Sequence, residues 1–148
     1  MRGEPGEISY DAQGQPRWGS EAAGILIRRS DTGQFLLLLR SAEVMDPGVL
    51  SLPGGRVEPG ETPEEAALIE AQEELGPLPP LQFVGHDVYR SGDFTFTTFM
   101  AVIDGQDVAA WEPVLNWEND AWAWVYADEI YELGEVHPNV RRVIEAWL

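Results

Sequence analysis

The chain has 148 residues, of which 44% are apolar, so one compact domain with a real core is expected and wholesale disorder is not. Its net charge of −17 repels nucleic-acid polymers and anionic membranes, since both need a basic footprint. The chain has no cysteine, and all nine basic residues are arginine, which excludes thiol catalysis, cysteine–zinc sites, Schiff-base chemistry and lysine phosphate loops. No apolar run reaches the roughly 18 residues that a bilayer crossing needs. The polar start MRGEPGEISYDAQGQP lacks an apolar signal core, so a cytoplasmic protein is expected.

In chain order, residues 1–20 read as an irregular lead-in, and residues 21–148 as a single domain. EAAGILIRR (21–29) and FLLLLR (35–40) read as strands about a Ser-Asp-Thr-Gly turn. Residues 45–55 read as loop, with a short strand at Leu50–Leu52. A helix follows: Thr62 caps it, Pro63 suits the first position, Glu65 completes a capping box, and Gly76-Pro77 end it. Leu68, Ala71 and Leu75 give that helix a core-facing stripe. Residues 81–90 and 94–104 read as a hairpin around a Ser-Gly-Asp turn. Residues 105–121 read as a long loop, 121–126 as a strand and 127–133 as a short helical turn. A last helix spans 137–148, with Val140, Val143, Ile144 and Trp147 on one face. The order β-β-(β)-α-β-β-β-α predicts a mixed α/β sandwich in which helices cover sheets.

The stretch GGRVEPGETPEEAALIEAQEELG (54–76) holds seven glutamates and one arginine. Glu70, Glu73 and Glu74 fall within about 100° of one another on the helix and repel at neutral pH. A solvated acidic face explains them in a protein this acidic. The alternative is an oxygen cage: Gly54, Gly55 and Gly60 let the loop fold back over the acidic sector, and Ala66 and Ala67 leave room for it. Such a cage suits hard divalent ions, Mg²⁺ or Mn²⁺.

These residues resemble the Nudix hydrolases, whose motif is G-x5-E-x7-R-E-U-x-E-E-x-G-U, with U a bulky apolar residue. Gly55, Glu61, Glu70, Glu73, Glu74 and Gly76 stand in register with it. Ile69 takes the place of the motif's arginine, Ala71 is small for U, and Pro77 replaces the last U. The resemblance implies a Nudix-like α/β/α sandwich with a mixed sheet. It also implies a metal-dependent pyrophosphohydrolase that cleaves a nucleoside diphosphate linked to another group. Carried over, the Gly54 carbonyl and the carboxylates of Glu70 and Glu74 would hold metal. Glu73 would assist with a further metal or its water, and Glu58 and Glu61 would order the loop or bind metal through water. In the family the general base is often a glutamate on a loop before a late strand; NWENDAWAWV offers Glu118 there, and Asp120 as second choice. The catalytic set is therefore Glu70, Glu73 and Glu118.

An anionic substrate needs cations. Arg40 at a strand end is the first choice for phosphate, followed by Arg56 in the motif loop and Arg90 beside a turn. Trp111, Trp117 and Trp122 offer stacking platforms for a base, whereas Trp124 and Trp147 read as core. The arginine in the family is thought to hold loop and glutamates by ion pairing, which Ile69 cannot do. A Nudix-fold nucleotide-binding module with weak or no catalysis is therefore the alternative reading, and a calcium-binding or merely acidic surface protein a further one. An isoprenoid diphosphate isomerase of this fold would want a cysteine that the chain lacks. Substrate identity among nucleoside triphosphates, ADP-ribose and nucleotide sugars is not legible. The resemblance allows a homodimer, but no interface can be read.

Overall fold

The computed structural model describes residues 9–10, 16–17, 21–44 and 47–148. Most of the expected lead-in lies outside the described residues. Within it β1 (Ser9–Tyr10) pairs antiparallel with β2 (Pro16–Arg17).

The main sheet is built on β3 (Glu21–Arg29), whose Ala22–Ile27 run is buried on both faces. A strand covered on both sides must be apolar throughout rather than alternating, and this one is. It pairs antiparallel with β4 (Phe35–Arg40) and, at its start, with β6 (Gly54–Arg56). It runs parallel to β8 (Phe94–Ile103), from Glu21 opposite Thr95 to Arg29 opposite Ile103. The expected hairpin forms between β7 (Gln82–Ser91) and β8, with β7 outermost. The other side of the sheet carries β5 (Leu50–Ser51) and β9 (Asn119–Val125), both antiparallel to β4. Parallel and antiparallel pairs make the sheet mixed.

One face packs under α1 (Pro63–Leu75): Ala23, Ile25, Ile27, Leu36 and Leu38 meet Ala67, Ala71 and Leu75. The opposite face packs under α3 (Pro138–Trp147): Leu26, Phe35 and Leu37 meet Val140, Val143 and Ile144. Helix, mixed sheet and helix form the expected α/β/α sandwich. Each buried Leu or Ile contributes about 1.5–3 kcal/mol through the apolar surface it removes from water.

Three elements differ from the sequence reading. Gly54–Arg56 is a strand, not loop. Glycines have little strand preference of their own, so β6 exists because β3 offers it an edge. The segment read as one long loop contains a short helix, α2 (Gly105–Ala109), capped by Asp104, whose carboxylate accepts the Gln106 N–H at 2.9 Å. β9 also begins at Asn119, two residues earlier than expected.

Candidate metal centre

The site lies where the start of β3, the end of β4, β6 and the start of β9 meet α1. Helix α1 begins with the capping box read from the sequence. Thr62 Oγ1 accepts the Glu65 N–H at 3.1 Å, and the Thr62 N–H donates to Glu65 Oε1 at 3.4 Å. The preceding loop is held by Glu61, whose Oε1 accepts the Glu58 N–H at 2.9 Å. Gly76 takes φ 76°, which glycine adopts without strain, and stops the helix.

The chain then returns over the helix end. The Val114 N–H donates to the Leu75 carbonyl at 2.8 Å, and Trp111 Nε1 donates to the Pro77 carbonyl at 3.1 Å. The Ser41 N–H donates to the Glu118 carbonyl at 2.8 Å, fastening the loop to the end of β4. These bonds carry Glu118 to α1. Carboxylate oxygens of Glu70, Glu74 and Glu118 lie within 4.8 Å of one another, and all three residues are buried.

Two of the three carboxylates, Glu74 and Glu118, are oriented by neutral donors. Glu74 Oε2 accepts the Gly54 N–H at 2.8 Å, and its Oε1 accepts Asn119 Nδ2 at 2.9 Å. Glu118 Oε1 accepts Asn116 Nδ2 at 2.8 Å, while the Glu118 N–H donates to Asn116 Oδ1 at 3.1 Å. Burial holds the Glu74 carboxyl well above the usual carboxylate range. The neighbouring Glu118 charge adds to the shift, the Asn119 and Gly54 donors oppose it, and Glu70 adds a smaller push. Burial likewise raises Glu118, against the Asn116 amide and the Arg40 charge, with Glu73 adding to the rise.

Glu73 behaves differently from its neighbours. The sequence reading placed Glu70, Glu73 and Glu74 on one side, away from the core stripe. Glu70 and Glu74 are instead 2% exposed, and only Glu73 faces solvent. On a helix, Glu70 and Glu74 lie about 40° apart, and Glu73 lies about 100° from Glu74 at the sector's edge. β6 and β9 cover the pair and leave the edge open.

Arg40 is near enough to stabilise the Glu118 charge. Arg56, on β6, sits 3.5 Å from Glu58. Arg90 is exposed on β7, across from Thr95, which lies across from Glu21; it stands two strands, roughly 10 Å, from β3. Of the three tryptophans offered for stacking, Trp111 and Trp122 are partly buried against the core under α1, and Trp117, 48% exposed, is the most open. Trp124 packs on that core too, and Trp147 sets its edge against Phe35 at 5.4 Å. Asn116 and Asn119 were missed by the sequence reading; their one signal was that they bracket Glu118 in Asn-Trp-Glu-Asn.

The residues fit a hard divalent cation. A Cβ on Gly55 would come 2.5 Å from Glu70 Cδ and 2.8 Å from both its oxygens, so a side chain there would force that carboxylate or β6 to move. Helix α1 carries no basic residue. Three buried carboxylates so close together are all-oxygen donors whose repulsion a cation would offset.

A family model described as NUDIX domain matches residues 20–147. This chain belongs to the NUDIX domain family. The Nudix relatives include the 8-oxo-dGTP diphosphatase of Escherichia coli K12, 40% identical over 58 residues, which are 39% of this chain and 43% of the relative. The chain spans less than half the length of the curated relatives it matches. Among solved structures it is similar to the Nudix hydrolase RenU of M. smegmatis, with TM-score 0.70 and 28% identity over 95% of this chain and 91% of that one. It shares its fold with an Ap4A hydrolase of C. elegans, with TM-score 0.69 and 23% identity over 85% and 94% of the two chains.

Proposed function

We propose that this Nudix chain is a metal-dependent pyrophosphohydrolase that cleaves a nucleoside diphosphate linked to another group. The observation that carries the reading is the meeting of Glu70, Glu74 and Glu118 within 4.8 Å, in a chain whose Nudix motif is in register. Glu70 and Glu74 hold Mg²⁺ or Mn²⁺ with the Gly54 carbonyl, and Glu73 on the open rim serves a further ion. The ion supplies Lewis-acid stabilisation of charge on the diphosphate oxygens.

Glu118 is the general base in this reading. Burial raises its proton affinity, which suits a group that must take a proton from water near neutral pH. Arg40, beside Glu118, receives phosphate charge, with Arg56 and Arg90 further along the substrate. The names of the relatives favour a nucleoside triphosphate or a dinucleoside polyphosphate, with ADP-ribose and nucleotide sugars as the remaining classes. No helix among the described residues is long and apolar enough to cross a membrane, and we place the protein in the cytoplasm.

The test is a panel of these compounds with Mg²⁺ and Mn²⁺ separately, products read by mass spectrometry, and Glu74→Gln as control. Cleavage that disappears in the control supports the hydrolase and names its substrate class. Metal binding without cleavage of any class shifts the reading to a nucleotide-binding module, for which Ile69 is the sequence argument.

A further inference from the structure

We propose that Asn119 is a positioning residue: its side-chain amide holds the Glu74 carboxylate in the orientation that receives the divalent cation. This rests on the reading of Glu70, Glu74 and Glu118 as a metal centre. Glu74 is gripped from two sides, by the Gly54 N–H on Oε2 and by Asn119 Nδ2 on Oε1, at 2.8 and 2.9 Å. Donors on both oxygens stop the carboxylate from turning about its terminal bond. The two grips come from β6, which pairs with β3, and from β9, which pairs with β4.

A neutral donor is the suitable instrument here. A guanidinium or ammonium would orient Glu74 and cancel its charge; an amide orients it and leaves the charge for the ion. Helix α1 has no basic side chain to do either. Asn119 is 5% exposed, at a strand position where an apolar side chain would pack without a hydrogen-bond requirement. Asn116 repeats the arrangement on Glu118, and the Asn119 N–H donates to the Asn116 carbonyl at 3.4 Å. One turn of chain thus aims two carboxylates that belong to different elements.

The experiment compares wild type, Asn119→Ala, Asn119→His and Glu74→Gln. Mn²⁺ binding to the protein alone is titrated by electron paramagnetic resonance, and kcat and KM are measured on the substrate that the panel yields. Circular dichroism of the metal-free proteins reports folding. Asn119→Ala is expected to weaken Mn²⁺ binding and lower kcat by about 10–100-fold, with nucleotide KM within about twofold of wild type. Asn119→His, whose Nδ1–H stands as many bonds from the backbone as the amide, is expected to restore most of the loss. If Asn119→Ala does not fold, Asn119→Ser is read by the same thresholds. Mn²⁺ binding within about twofold of wild type in a folded Asn119→Ala, while Glu74→Gln loses it, overturns the positioning role and leaves the metal centre standing. Undiminished Mn²⁺ binding in Glu74→Gln, or no binding by wild type, overturns the metal centre and this proposal with it.

Discussion

Glu74 carries electrostatic tension. It is buried against two other carboxylates and held by two neutral donors. In metal-free protein its proton affinity, and that of Glu118, lie above the ordinary carboxylate value of 4.5. The folded state therefore binds protons more tightly than the unfolded one. Stability from these groups is full below the unfolded value and is lost as pH rises through the folded one. In a chelator, wild type should melt progressively lower as pH rises above the ordinary carboxylate value of 4.5, and Glu74→Gln should show a shallower pH slope over the same range. Parallel melting curves for the two proteins across that range would count against a strained Glu74. The base assignment has its own test. Glu118→Gln should lower kcat by about 10²–10⁴-fold while Mn²⁺ still binds; loss of Mn²⁺ as well would make Glu118 a ligand rather than the base. Glu70, Glu73 and Glu74 were legible as residues from motif spacing. That Glu70 and Glu74 are buried and Glu73 is not depended on which strands cover the helix, and spacing does not contain that.

At the scale of elements, β6 is the joint of the site. It lays Gly55 on the Glu70 carboxylate and Gly54 on Glu74, while pairing with β3 through Ala22, Ala23 and Gly24. Gly55→Ala should therefore displace β6 or Glu70, lower the melting temperature and weaken Mn²⁺ binding together. Unchanged Mn²⁺ affinity would show that the strand is free to shift. The helix start is a separable element. Thr62→Ala removes one capping acceptor and should cost about 1 kcal/mol, roughly 2–4 °C in melting temperature for a chain of this length, with Mn²⁺ affinity unchanged. The helix was readable end to end because cap, proline and terminating glycine are local signals. β6 was not, because two glycines carry no local strand preference and form one only against a partner.

Across the whole molecule, 26 acidic residues face 9 basic ones, and three of the acidic residues, Glu70, Glu74 and Glu118, are buried together. An ion that binds only the folded state stabilises it by mass action. Mn²⁺ at about a hundred times its dissociation constant should add about 2.7 kcal/mol, a rise of roughly 5–10 °C near neutral pH. Glu74→Gln should abolish most of that rise; an equal rise in the variant would place the bound metal elsewhere on the acidic surface.

The sequence by itself determined the family, the order of most elements, the helix with its caps, and the residue types of the candidate metal centre. Each is written in local spacing, in caps and turns, or in a motif held in register over 23 residues. Only the tertiary structure decided how closely Glu118 meets Glu70 and Glu74, that Glu73 stays outside, that Trp111 packs partly buried on the core, and that two asparagines donate to the carboxylates. Those facts depend on a loop folding back across a helix end and on a glycine strand borrowing an edge. Contacts between segments tens of residues apart are set by packing and paired backbone groups, and neither leaves a periodic trace along the chain.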